Sequence, residues 1–199
     1  INTYRKSDSQ LVLSERKGRT WSFPRVVDID SLGDSRLGID FHVNSWGNTM
    51  VVSMAREDAI GQRDLYVSIK KQDGNWSAPK HMGNVLNTNR QEGYVFIAHD
   101  DKTLYFASNG HKGFGGMDLF VSKRQDETWT NWSEPVNLGE IVNDNTNNIY
   151  ISLPAQGTPA YISKFTEDQD MDLFAVDLPP GHLPEPVVPA TSKCGIFAL

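Results

Sequence analysis

Apolar residues in this chain come in short runs closed off by Gly, Asn, Asp or Pro. Thr103-Leu104-Tyr105-Phe106-Ala107-Ser108 and Asp118-Leu119-Phe120-Val121-Ser122 are typical, rich in aromatic and aliphatic side chains between turn formers. Such runs read as β-strands. Nowhere does a useful length of chain carry the three-to-four spacing of an amphipathic helix.

The runs are periodic. Asp64-Leu65-Tyr66, Asp118-Leu119-Phe120 and Asp172-Leu173-Phe174 are spaced by 54 residues, and one step back Gln10-Leu11-Val12 takes the same place. Trp21-Ser22-Phe23-Pro24, Trp76-Ser77-Ala78-Pro79 and Trp132-Ser133-Glu134-Pro135 follow the first three copies. A repeat of this length built from strands predicts an all-β fold, a β-propeller of four-stranded antiparallel blades. The clearest unit predicts strand A at Gly93–Ala98, B at Thr103–Ser108, C at Asp118–Ser122 and D at Trp132–Val136. Before it, the strands fall at Ile39–Val43, Thr49–Met54, Asp64–Ile69 and Trp76–Lys80. After it come Asn148–Leu153, Ala160–Ser163 and Asp172–Val176.

These units divide the chain into a partial blade at 1–36, blades at 37–88 and 89–145, a last blade at 146–177, and a Pro-rich linker and tail at 178–199. That is about three and a half blades, against four to eight in a closed propeller. The expectation is a part of a larger propeller, with closure of these four segments among themselves as the alternative. Glu185-Pro186-Val187 echoes Glu134-Pro135-Val136 and offers a degenerate strand D for the last blade.

The segments Thr103–Ser108, Gly113–Phe120 and Trp132–Gly139 with Asn143 make the chain similar to the WD40-like PD40 β-propeller repeat over residues 10–177. Propellers with this wording resemble those of bacterial outer-membrane-associated proteins that also carry tetratricopeptide, carboxypeptidase-regulatory-like and OmpA-like peptidoglycan-binding domains. Several of those belong to type IX secretion and gliding machinery. The resemblance implies a periplasmic, outer-membrane-associated scaffold. Its partners would be other envelope or secretion-machinery proteins, and peptidoglycan through domains outside this chain. A repeat specifies a blade and not a task.

Composition narrows the classes. The net charge is −6 over 199 residues and basic residues are scattered, which argues against nucleic acid. No apolar run approaches the roughly 20 residues of a membrane helix. The lone Cys194 forms no internal disulfide. A chain opening at Ile1 reads as a mature product or a fragment.

Candidate chemistry is sparse, and no catalytic, cofactor or metal residue is assigned. Asp64, Asp118 and Asp172 recur once per unit, which fits carboxylates bonding loop N–H groups better than catalysis. Trp21, Trp76 and Trp132 read as packing between blades. Gly110, Gly113, Gly115 and Gly116 lack the Lys-Ser/Thr ending of a phosphate loop, and positive backbone angles in a turn account for them. Asp168 and Asp170 lie in an acidic loop without the glycine and distal glutamate of a calcium site. The loops joining D to A and B to C share one face in a propeller. Its candidate binding residues are His111, Phe114, Asn143, Asp144, Asn145, Asp168 and Asp170. The leading expectation is a non-enzymatic interaction module. A glycosidase- or sialidase-like or glycan-binding propeller, or the gating propeller of a larger peptidase, is the alternative.

Overall fold

The computed structural model describes residues 12–27, 29–30, 32, 39–165 and 170–186. They form an all-β structure of antiparallel sheets, with no α-helix among the described residues. The first full sheet holds β5 (Asp40–Val43), β6 (Thr49–Met54), β7 (Asp64–Ile69) and β8 (Lys80–His81) in that order. The second repeats the plan with β9 (Glu92–Ile97), β10 (Thr103–Ser108), β11 (Asp118–Lys123) and β12 (Val136–Asn137). A three-stranded sheet follows: β13 (Asn148–Ser152), β14 (Ala160–Phe165) and β15 (Met171–Val176). Ahead of them, β1 (Val12–Leu13) pairs with β4 (Arg25–Val26), and β2 (Arg16–Lys17) with β3 (Thr20–Trp21).

The sequence period reappears as register. Val12 faces Val26, Tyr66 faces His81 and Phe120 faces Asn137. At the outer end of the same hairpin, Arg16 pairs with Trp21, Lys70 with Trp76 and Arg124 with Trp132. The N-terminal segment is thus a copy of the last hairpin of each full sheet. The expected fourth strands shrink to two residues, because Pro79 and Pro135 have no N–H to give the ladder. Each tryptophan therefore sits in a bridge before its strand and not within it.

Central strands are buried on both faces, which is why β6 and β10 read as unbroken apolar runs. Met50, Val52 and Met54 pack with Tyr66, Trp76 and Ile29, while Val51, Leu65 and Val67 pack with Leu104, Phe106 and Trp132 of the second full sheet. Tyr105, Ala107, Leu119 and Val121 in turn face Ile149, Ile151, Ala160 and Ile162 of the three-stranded sheet. Each such side chain contributes about 1.5–3 kcal/mol on burial.

First strands are neighbours across sheets. Asp40 Oδ2 accepts from Val95 N at 3.0 Å and His42 Nδ1 from Ile97 N at 3.1 Å, tying β5 to β9. The hairpin turns gather at one end, where Arg124 Nε donates to Asp101 O. At the other end the β6–β7 and β10–β11 loops meet the connections to the next sheet, with Gln62 N bonded to Arg90 O and Gly116 N to Thr146 O.

Residues 178–186 depart from a free linker. Leu178 is buried beside Ile149 and Tyr105, Tyr105 Oη donates to His182 O, and Lys102 pairs with Glu185. Glu185 N bonds Asp100 Oδ2 on the β9–β10 turn, so it adds no fourth strand to β15. Leu178 joins the core between the second full sheet and the three-stranded sheet.

Candidate functional site

Two of the three repeated acids, Asp64 and Asp118, are spent on their own loops. Asp64 accepts from Ile60 N, Gly61 N and His81 Nε2 at 2.6, 3.0 and 2.9 Å. Asp118 accepts from Phe114 N and Gly115 N at 2.6 and 3.3 Å, and Asp172 is exposed. Asn137 stands where His81 stands but is a shorter side chain. There, Asp118 Oδ1 and Asn137 Nδ2 are both buried without a partner among the described residues.

Gly110, Gly113, Gly115 and Gly116 are absent from the positive-φ glycines, which corrects the expectation of left-handed turns. Space is the reason for them. A Cβ would lie 1.8 Å from Thr88 Oγ1 at Gly110 and 1.6 Å from Asp118 Oδ2 at Gly113. At Gly115 it would lie 2.5 Å from Asp144 O, and at Gly116 2.3 Å from Asn147 Oδ1. The loop is pressed onto its neighbour.

Much of the expected binding face is internal. Asn143 is 1% exposed, with Oδ1 accepting from Leu119 N and Nδ2 donating to Leu119 O, as Asn87 does for Leu65. It clamps β11, and its place on a binding surface is withdrawn. His111 turns inward too: it lies edge-on to Phe106, packs against Phe120 and bonds Leu86 O at 2.8 Å. Asp144 is held by Lys164 and Thr146. Burial alone would raise its pKa, yet these partners keep it well below the usual carboxylate range. Phe114, Asn145 and Asp170 are exposed, and Asp168 lies outside the described residues. Trp76 and Trp132 are buried between sheets, whereas Trp21 is 67% exposed.

A group that sequence reasoning missed gathers where the first strands begin. Asp40, Tyr94 and Tyr150 stand three residues before Val43, Ile97 and Leu153. The Tyr94 and Tyr150 rings meet edge to face at 4.9 Å. Arg63 joins them: its Nη2 donates to Ser53 O at 3.3 Å and lies 3.9 Å from where a Gly93 Cβ would be. Its Nε is buried without a partner among the described residues. Burial raises the Asp40 pKa against the pull of the Val95 N–H and Arg63, and burial, then Asp40, raises that of Tyr150. Tyr94 has φ +53°, the left-handed region that costs a bulky residue on the order of 1–3 kcal/mol. A signal existed in the chain: Arg63 occupies the position of Met117 and Met171 in the later repeats.

Beside this group, Glu92 is fully buried and bonded to Thr88 and Ser108. Burial raises its pKa despite those bonds. Among the described residues no cluster of three His, Cys, Asp or Glu could hold a metal ion. No protein-family model matches the chain, and no curated protein is significantly similar to it.

Proposed function

We propose that the repeated sheets are blades of a β-propeller and that the chain is a non-enzymatic interaction module of the bacterial cell envelope. One observation carries the second half: the repeated polar residues hold loops and strands together, while Asp40 and Arg63, which the later repeats replace by Tyr and Met, gather apart from them with Tyr94 and Tyr150. Hydrolysis of a glycoside by paired acids needs two carboxyl groups flanking one bond. The described group offers one, Asp40, because the Glu92 carboxyl is turned to Thr88 and Ser108. The likeness to PD40 repeats supports an envelope setting and, within it, a type IX secretion-associated, peptidoglycan-anchored protein.

The partner would dock on the end of the molecule that carries Phe114, Asn145 and the Tyr94–Tyr150 pair. A photo-crosslinking side chain at Phe114 or Asn145 is expected to capture discrete protein adducts in the native envelope. At Gln125, on the opposite turns, it should capture none. The reverse distribution overturns the reading, as does glycoside hydrolysis that disappears in Asp40→Asn.

A further inference from the structure

We propose that the group formed by Asp40, Arg63, Tyr94 and Tyr150 binds a neutral saccharide through two adjacent ring hydroxyls. The proposal rests on the reading of this end as a binding face and gives that face a ligand class.

Arg63 is the first reason. The fold does not need it, since the later repeats place methionine there, and Met117 is buried in the core. A guanidinium has five N–H donors, and among the described residues this one makes a single protein hydrogen bond, to Ser53 O. A partly buried polar group left so poorly satisfied asks for a partner from outside.

Charge decides what that partner is. Asp40 accepts from Val95 N through Oδ2, the N–H groups of Tyr94 and Phe41 also favour its carboxylate, and the Arg63 charge acts on it. A carboxylate has about four acceptor sites and can take a further donor. A carboxylate ligand would be drawn by Arg63 and repelled by Asp40, and an ammonium the reverse. A hydroxyl both donates and accepts, so two neighbouring hydroxyls satisfy a mixed donor–acceptor pair without net charge. The third element is apolar. Tyr150 is 46% exposed and braced edge-on by Tyr94, so it presents a fixed aromatic face for the C–H side of a pyranose. A few placed polar groups beside an aromatic wall are the usual make-up of a small-molecule site.

The test is titration of the chain with cellotetraose, maltotetraose and chitotetraose, followed by calorimetry and by chemical-shift perturbation. At least one is expected to bind saturably, with Kd about 1 mM or tighter. Arg63→Met installs the residue that the other repeats carry, so the fold is kept and binding should weaken at least about tenfold. Tyr150→Ala should do the same, and Val136→Ala, exposed on β12 of the second full sheet, should change nothing. Absence of binding by all three sugars overturns the proposal, and so does binding that Arg63→Met and Tyr150→Ala leave intact. Preference for hexaglutamate or hexalysine over every sugar also overturns it. Crosslinks at Phe114 and Asn145 that persist in any of these cases leave the interaction-module reading standing. Sugar binding without crosslinks fails that reading alone.

Discussion

Leu119 and Leu173 hold the same place in the same Asp-Leu-Phe motif, yet Leu119 is fully buried and Leu173 is 72% exposed. Around Leu119 the second full sheet has a neighbour on each face. The three-stranded sheet has described neighbours on one face, and its other face shows Tyr150, Tyr161, Met171 and Leu173. The N-terminal hairpin is the counterpart, with Val12, Trp21 and Val26 exposed where Tyr66, Trp76 and their equivalents are buried. A motif therefore specifies strand, register and which way each side chain points. Burial is supplied by the next sheet. The same letters carry most of the stability in one repeat and little in another.

The largest test of that contrast is Trp132→Ala, expected to cost about 3–5 kcal/mol in urea unfolding, against within about 0.5 kcal/mol for Trp21→Ala. Leu119→Ala should lose about 2–5 kcal/mol and Leu173→Ala about 0.5 kcal/mol or less. Equal losses at Leu119 and Leu173 would mean that the exposed face is covered in solution. Asn143→Ala breaks two buried backbone bonds and should cost about 2–3 kcal/mol, with Asn145→Ala nearly neutral.

His42 reports on the β5–β9 junction, which has no counterpart on the outer face of β13 among the described residues. Burial, with a smaller push from His99, lowers its pKa to about 4, so it is neutral in the native state at pH 6. The unfolded chain takes up that proton near 6.5. Between these values the unfolded state binds more protons, and stability falls as the pH drops from about 6.5 to 4. The loss is about 3 kcal/mol. In His42→Asn, whose Oδ1 can still accept from Ile97 N, that slope should flatten. The smallest effect sharpens the comparison between the two full sheets. Asn137→His should give Asp118 the bond that His81 gives Asp64, a gain of about 1 kcal/mol visible as a raised Tm.

Much of the sheet plan was legible because the repeat is written in local terms. Strand runs are apolar and bounded by turn formers, and the motif acid marks the start of the third strand. The docking of 178–186 was not legible. Its prolines say only that no central strand forms there, and the contacts that hold it, from Tyr105 and Asp100, come from about eighty residues earlier. Asn143 misled for a related reason: an asparagine in a polar loop looks exposed until its backbone partner, Leu119, is known. The Asp40–Arg63–Tyr94–Tyr150 group draws on three sheets, so no window of sequence contains it. Only Arg63, polar where the repeat is apolar, could have drawn the eye.

The asparagine clamps also bear on how the chain is made. Asn87 lies 22 residues beyond the Leu65 backbone that it bonds, and Asn143 lies 24 beyond Leu119. During synthesis, which adds about 5–20 residues per second, each third strand emerges more than a second before its latch. A pause in translation just after Ile69 or Lys123 would hold an unlatched edge open to neighbouring nascent chains. Slow codons over 70–87 or 124–143 would lengthen that exposure.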